Sequence, residues 1–360
     1  MKQQDTQFQS EPIKGYVYLR VIACLAIVIL HTAYGAAFQF EEVISSFQHT
    51  GAMVVTNSMM WAVPCFVMVT GALLLPPEKD ISYDKLFKKY IFRVARALVI
   101  CGLAFRLFDM VMDGEPMTFM GFLYGFAEIF TGQGWSHLWY LYLLIGLYLL
   151  LPFYKKVTAN SSDREMIYLL AVGGIFTALL PMLEAFHVSC AFYIHVATIY
   201  PFYLLMGYAL RKGIVKVTKW QALGLIVLSL AAIIGMTVYR WQNGSEAFEA
   251  LLGYNSLFVA ALAVGVFSLV SSVRLTLPKA LERFIKSIDY CSFGIYLIHM
   301  VFVRLVLRYW RFNPFTHGGV IAFAGIVIGV FIVSFVLVWL GKKGILLLKA
   351  LRFTSKTDGN

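Results

Sequence analysis

Two polar residues inside the first long apolar stretch invite a chemical reading. Arg20 and His31 stand eleven positions apart in the run RVIACLAIVILH. On a helix, eleven residues make almost three whole turns and about 16 Å of rise, so both side chains share one face at different depths. A neutral imidazole in apolar surroundings is the form a general base needs. A guanidinium beneath it offers a fixed charge to an anionic substrate. His31 is therefore the candidate catalytic residue and Arg20 a candidate binding residue. Arg93 and Arg96, in the run KKYIFRVAR, lie three residues apart and so share a helix face. Paired guanidinium groups suit phosphate oxygens through forked hydrogen bonds, with anchoring at a lipid interface as the competing account. His137 opens the stretch HLWYLYLLIGLY close to Glu128, and His299 lies deep in SFGIYLIHM. These three are candidates for lining an acceptor path, set against the plainer role of hydrogen bonding between helices. Arg106, Arg304 and Arg308 fall near helix ends, where a long cationic side chain reaches the interface by snorkelling.

The elements that must position these groups follow from composition. The chain is 60% hydrophobic and only 14% charged, with a mean hydropathy of +0.76. That balance places most of it in a solvent that cannot satisfy exposed backbone groups, where helices are the natural solution. Spanning about 30 Å of hydrocarbon takes roughly 20 helical residues. Runs near that length occur at about 16–38, 51–75, 90–108, 137–154, 166–183, 192–210, 220–239, 254–273, 290–309 and 319–340. The segment 119–130 is apolar but too short to cross, and reads as a re-entrant or interfacial helix. The expected architecture is an all-α polytopic membrane protein of about ten transmembrane helices. A short N-terminal tail (1–15), one membrane domain (16–340) and a short C-terminal tail (341–360) complete it. The N-terminal stretch, polar through Ser10, shows no small-residue cleavage pattern, so the first helix is expected to stay in the mature protein.

Charge then orients the chain. A formal net charge of +11 raises the question of nucleic acid, but the basic residues sit in short blocks between apolar runs and form no continuous patch. Lys79, Lys85, Lys88 and Lys89 form one such block, and Arg211, Lys212, Lys216 and Lys219 another. The alternate connections carry acids, among them Glu41, Glu42, Asp109, Asp113, Glu115, Glu184, Glu246 and Glu249. Because cytoplasmic loops accumulate Lys and Arg, this alternation puts both termini in the cytoplasm and requires an even number of crossings. Cys24, Cys65, Cys101, Cys190 and Cys291 show no metal-ligand spacing and read as free buried thiols. No GxSxG elbow, P-loop or HExxH is present, so hydrolase, ATPase and zinc-enzyme readings lose support. No permanently bound cofactor or metal is expected.

Beyond these readings, the chain resembles the acyltransferase family 3 membrane enzymes. The resemblance rests on Arg20 and His31 in the first span, on Arg93-Val-Ala-Arg96 in the third, and on the stretches HLWYLYLLIGLYLLLP, YLLMGYALRK and SFGIYLIHM. It covers nearly the whole chain and is nearest to the compact form without an appended hydrolase-like domain, exemplified by enterobacterial common antigen O-acetyltransferases. The resemblance implies transfer of an acetyl or other short acyl group from cytoplasmic acyl-CoA to a hydroxyl, or an amine, of a surface glycan or lipid-linked sugar. It implies a bacterial inner-membrane location, His31 in the transfer step, and Arg20, Arg93 and Arg96 in handling the donor. Two chemistries stay open: His31 as general base, or a covalent acyl-histidine or acyl-cysteine intermediate. Two rival functions stay open as well. A secondary transporter also uses buried Arg and His, although no paired repeat is visible. A sensor or assembly subunit without turnover accounts for His299 but poorly for the aligned Arg20 and His31.

Overall fold

The computed structural model describes residues 12–185, 198–243 and 248–357, and every regular element among them is helical. α1 spans Pro12–Gln39. α2 (Ser46–Ser58) and α3 (Ala62–Leu74) follow as one interrupted rod. α4 is Phe92–Met112, entered through a π-helical turn at Leu86–Ile91. α5 is the short Phe119–Thr131, and α6 is Trp139–Asn160 after a 3-10 turn at Ser136–Leu138. α7 (Asp163–Gly174) runs on through π-helical Ile175–Leu179 into Leu180–Ala185. α8 (Tyr200–Lys212), α9 (Lys219–Gln242), α10 (Leu257–Ser271), α11 (Lys279–Arg304, continued by π-helical Leu305–Tyr309) and α12 (Gly319–Thr357) complete the chain.

Local sequence explains where the helices begin and end. Ser45 with Gln48, Ser162 with Glu165 and Thr218 with Gln221 form capping boxes at the starts of α2, α7 and α9, satisfying backbone donors that a helix start leaves open. Gly213 closes α8 in the left-handed region at φ 79°. The break between α2 and α3 falls where Pro64 removes a backbone donor and crowds the carbonyl four residues earlier. An apolar run, continuous from 51 to 75, does not register that interruption.

Among the described residues, seven helical runs are long and apolar enough to cross a membrane: Lys14–Gln39, Ser46–Leu74, Ser136–Asn160, Asp163–Leu183, Lys219–Gln242, Lys279–Tyr309 and Gly319–Leu347. Their outward faces carry exposed large apolar side chains, such as Val320, Ile321 and Ile328 on α12 and Trp220, Val227 and Leu228 on α9. Such surfaces belong against lipid. The chain is an all-α, multi-pass membrane protein. Helices also occupy the other three expected spans, but α4 carries Arg93, Arg96, Arg106 and Asp109, while α10 has 15 residues and the described part of that sixth span, α8, has 13. The start of the span expected at 192–210, together with Cys190 and Glu246, lies outside the described residues. α12 continues to Thr357, past residue 340 where the apolar pattern ends. Lys342 ties this extension back, its ammonium lying 3.6 Å from the centre of the Tyr290 ring. Cys24, Cys65, Cys101 and Cys291 are free thiols, all buried except the half-buried Cys101.

α1 is the hub of the bundle, packing on α2, α3, α10, α11 and α12. Leu19, Ala23, Ala26 and Ile27 of α1 enter the main core with Val67 and Met68 of α3, Leu204 of α8 and Phe267 of α10. The closest crossing is α3 on α8. A Cβ added to Gly71 would lie 1.8 Å from the Leu204 carbonyl oxygen, and one added to Gly207 would lie 2.0 Å from that of Met68. Two backbones in contact leave no flexible neighbour to yield, which is why small residues mark tight helix crossings in membranes. Gly71→Ala and Gly207→Ala are each expected to destabilise the fold by about 1–3 kcal/mol. Thermal unfolding in detergent checks this, with Gly224→Ala, where a Cβ meets nothing within 4 Å, as the variant that should behave like the parent.

Candidate active site

The candidate residues are organised by one helix pair. α1 and α11 run parallel and in register: Lys14 pairs with Glu282 at 3.4 Å, Arg20 with Asp289, the Cys24 thiol with the Ser292 carbonyl at 3.7 Å, and His31 with His299. The sequence offset within these polar contacts is 268 or 269 residues. Two rods held in constant register place each α1 group beside a fixed α11 partner. The Arg20 to His31 axis inferred from helical geometry is therefore one half of a double row.

At the lower end, Arg20 Nε and Nη2 donate to the two carboxylate oxygens of Asp289 at 2.6 and 2.7 Å. This fork is the strong, oriented form of ion pair, and both side chains are largely buried, with 26% and 15% exposed. Arg20 was expected to offer an unshared charge, and here its charge is shared with a carboxylate. Asp289 escaped notice in the sequence. Its signal was available, since Asp289 precedes His299 by ten residues just as Arg20 precedes His31 by eleven.

At the upper end three histidines from three segments come together. His31 Nδ1 lies 3.0 Å from His299 Nε2, and also 3.1 Å from the Ile27 carbonyl one turn back. His299 Nδ1 lies 2.7 Å from the Tyr296 carbonyl and 3.2 Å from that of Ile295. His137, from the turn before α6, places Nε2 3.1 Å from the Leu297 carbonyl, while its Nδ1 is buried without a partner. The Tyr296 hydroxyl donates to the His137 carbonyl. Ring centres are 5.0 Å apart for His31 and His299, 5.5 Å for His137 and His299, and 6.3 Å for His31 and His137. His31 is half-buried and the other two are fully buried. Two of the rings face each other instead of converging on a common point, and among the described residues no group of His, Cys, Asp or Glu side chains is arranged to hold a metal ion.

Two cavities lie to either side of the cluster along α11, with none of the three histidines in either wall. The one on the Arg20 side, about 330 Å³, is walled by Arg20, Lys79, Arg93, Tyr90, Tyr148 and Tyr296 among others. Lys79, in the loop after α3, has its ammonium form disfavoured first by burial and then by the charges of Lys85, Arg211, Lys155 and Lys89. A bound anion would relieve that repulsion. The cavity on the other side, about 170 Å³, is lined by Arg106, Asp109, Glu128, Gln133, Trp135 and Arg304 among others. Along α11 the lining passes from Tyr296 in the first cavity, past His299, to Arg304 in the second.

The structure separates residues that the sequence grouped. Arg93 lines the first cavity with its guanidinium 5.6 Å from the centre of the Phe293 ring. Arg96 is exposed, lies over Phe92 of its own helix and is not in that wall. Glu128 of α5 faces the second cavity, whose wall includes Trp135 and Leu138 on either side of His137. Arg106, Arg304 and Arg308 are not merely snorkelling: they pair with Glu115, Asp109 and Asp113 at 2.8, 2.9 and 3.1 Å. Asp109 also accepts from the Trp135 indole at 2.7 Å, and the Arg304 guanidinium sits 3.8 Å from that ring's centre.

The family model described as an acyltransferase domain matches residues 13–339, the segment that holds all of these groups. The chain belongs to acyltransferase family 3. Acyl transfer is therefore its reaction class. No curated protein and no solved structure matches the chain.

The Arg20–Asp289 fork makes a prediction independent of substrate. Removing one partner leaves the other charge largely buried, so Arg20→Ala and Asp289→Ala should each destabilise by about 2 kcal/mol, between the values typical of exposed and buried pairs. The double variant should lose little more than either single one, and chemical denaturation of all three measures the coupling.

Proposed function

We propose that this protein transfers an acetyl or other short acyl group from cytoplasmic acyl-CoA to a hydroxyl, or an amine, of a surface glycan or lipid-linked sugar, with His31 as general base. The observation that carries the proposal is the position of His31, in a buried histidine cluster between a basic cavity on the Arg20 side and a polar cavity on the Arg304 side. The Lys- and Arg-rich connections put the Arg20 side in the cytoplasm, where acyl-CoA is made. The parallel course of α1 and α11 fits an arrangement of ten crossings with both termini cytoplasmic, in which the first and ninth spans run the same way. A bacterial inner membrane is the matching location.

In this reading the phosphates of the donor sit near Arg93 and Lys79, and the pantetheine arm extends past Tyr296 toward His31. The acceptor arrives through the cavity bearing Glu128. Its proton passes to His31 as its oxygen attacks the thioester carbonyl carbon. The new C–O bond forms, the C–S bond breaks, and the departing thiolate takes the proton back from His31. Arg20 holds the floor of the donor cavity through Asp289. Arg96, outside the wall, contributes less to donor binding than Arg93.

His31→Ala should reduce transfer of radiolabel from acetyl-CoA to a glycan fraction to a small residual rate while expression and thermal stability hold; transfer at the parent rate would remove His31 from the reaction. Arg93→Ala should raise the donor KM about tenfold or more, as loss of a charge-assisted contact to phosphate implies, and Arg96→Ala should raise it less. Glu128→Gln should change the acceptor KM and leave that of the donor alone. Uptake of a sugar into proteoliposomes without CoA would point to a transporter instead.

A further inference from the structure

His299 has no role in that scheme, yet its bonding determines the state of His31. His299 Nδ1 faces two backbone carbonyl oxygens, at 2.7 and 3.2 Å. A lone pair cannot sit against two oxygen lone pairs, so Nδ1 carries the proton and Nε2 of the neutral ring is an acceptor. That acceptor lies 3.0 Å from His31 Nδ1, and the same His31 nitrogen lies 3.1 Å from the Ile27 carbonyl. Both neighbours of His31 Nδ1 are acceptors. The nitrogen must therefore carry the hydrogen, and the unprotonated nitrogen of neutral His31 is Nε2.

We infer that His299 is a positioning residue that holds His31 as the Nδ1–H tautomer and presents Nε2 as the base, in the place where many hydrolases use a carboxylate. The inference rests on His31 being the base. Among the described residues, no carboxylate is hydrogen-bonded to His31. When Nε2 takes the acceptor proton, the Nδ1–H bond to His299 becomes charge-assisted and stronger, so His299 favours the protonated state that accompanies bond formation over the resting one. A backbone carbonyl alone fixes the tautomer more weakly, because Ile27 lies on the same helix and leaves the ring free to turn. His137 does not share this role, since its Nε2 is directed at the Leu297 carbonyl and its ring centre is 6.3 Å from that of His31.

Steady-state kinetics on the full-length protein in detergent or nanodiscs, with acetyl-CoA and a glycan fraction, tests the inference. His299→Leu should lower kcat by about 10²-fold or more, within the range of a mispositioned acid–base group, with both KM values changed less than about twofold. His299→Gln, whose amide oxygen accepts from Nδ1–H, should recover a large part of that loss. In a His31→Ala background that retains residual transfer, His299→Leu should cause no further loss, because the two act as a unit. Equal losses in the Leu and Gln variants, a change confined to the acceptor KM, or additive losses in the double variant would overturn the inference and return His299 to a packing or path-lining role. Full activity in His31→Ala would instead overturn the general-base reading itself. A His299→Leu protein that fails to fold leaves the Gln variant and its kcat as the deciding measurement, with a loss equal to that of His31→Ala counting against the inference.

Discussion

The structure depends on the register between α1 and α11. A helix pair that slid by one residue would rotate its facing groups by about 100°, and the Arg20 fork would miss Asp289 while His31 lost His299. The fork is the element best suited to prevent this. It is bidentate and directional, and in a region poor in water a misplaced guanidinium or carboxylate has no alternative partner. The ion pair in the wall of the larger cavity thus sets the geometry of the histidine pair three turns above it. That separation lets one group be strongly charged and immovable while the other remains neutral and able to exchange a proton.

The same logic is used differently at the opposite end of the molecule. Arg106, Arg304 and Arg308 each meet an acid from the short stretch 109–115. Asp109 gathers the Trp135 indole and Arg304 into one knot. This knot holds the turn that carries His137 against α11, and it forms part of the wall of the smaller cavity. α5 completes that wall because Gly102 and Gly125 allow it close to α4, with Ile129 and Arg106 filling the space a side chain would take. Polar groups at both ends and small residues at the crossings leave the apolar surface for the lipid.

On the proposed reaction, cavities on opposite sides of one histidine cluster give a reason for placing an acyltransferase in the membrane. In that proposal the thioester is made on one side and the sugar is displayed on the other, so a transfer across the bilayer needs a base reachable from both. On the proposed reaction, a half-buried His31 backed by two fully buried histidines limits the water that would compete for the acyl group.

Sequence by itself determined the class of the protein: helical, membrane-embedded, with one side marked basic, and with His31 and Arg20 on a shared face. Those features are local, being set by hydropathy over about 20 residues and by the pitch of one helix. It also pointed to Glu128, His137 and His299, and grouped Arg93 with Arg96 as candidate binding residues. Only the tertiary structure decided the pairings. That Arg20 is neutralised by Asp289, that His299 faces His31, and that Arg93 lines the cavity on the Arg20 side while Arg96 does not all depend on which distant helices pack together. Contacts between residues some 268 positions apart leave no periodic trace in a single chain, because a histidine bonded to another histidine and one bonded to a carbonyl occupy the same kind of apolar run.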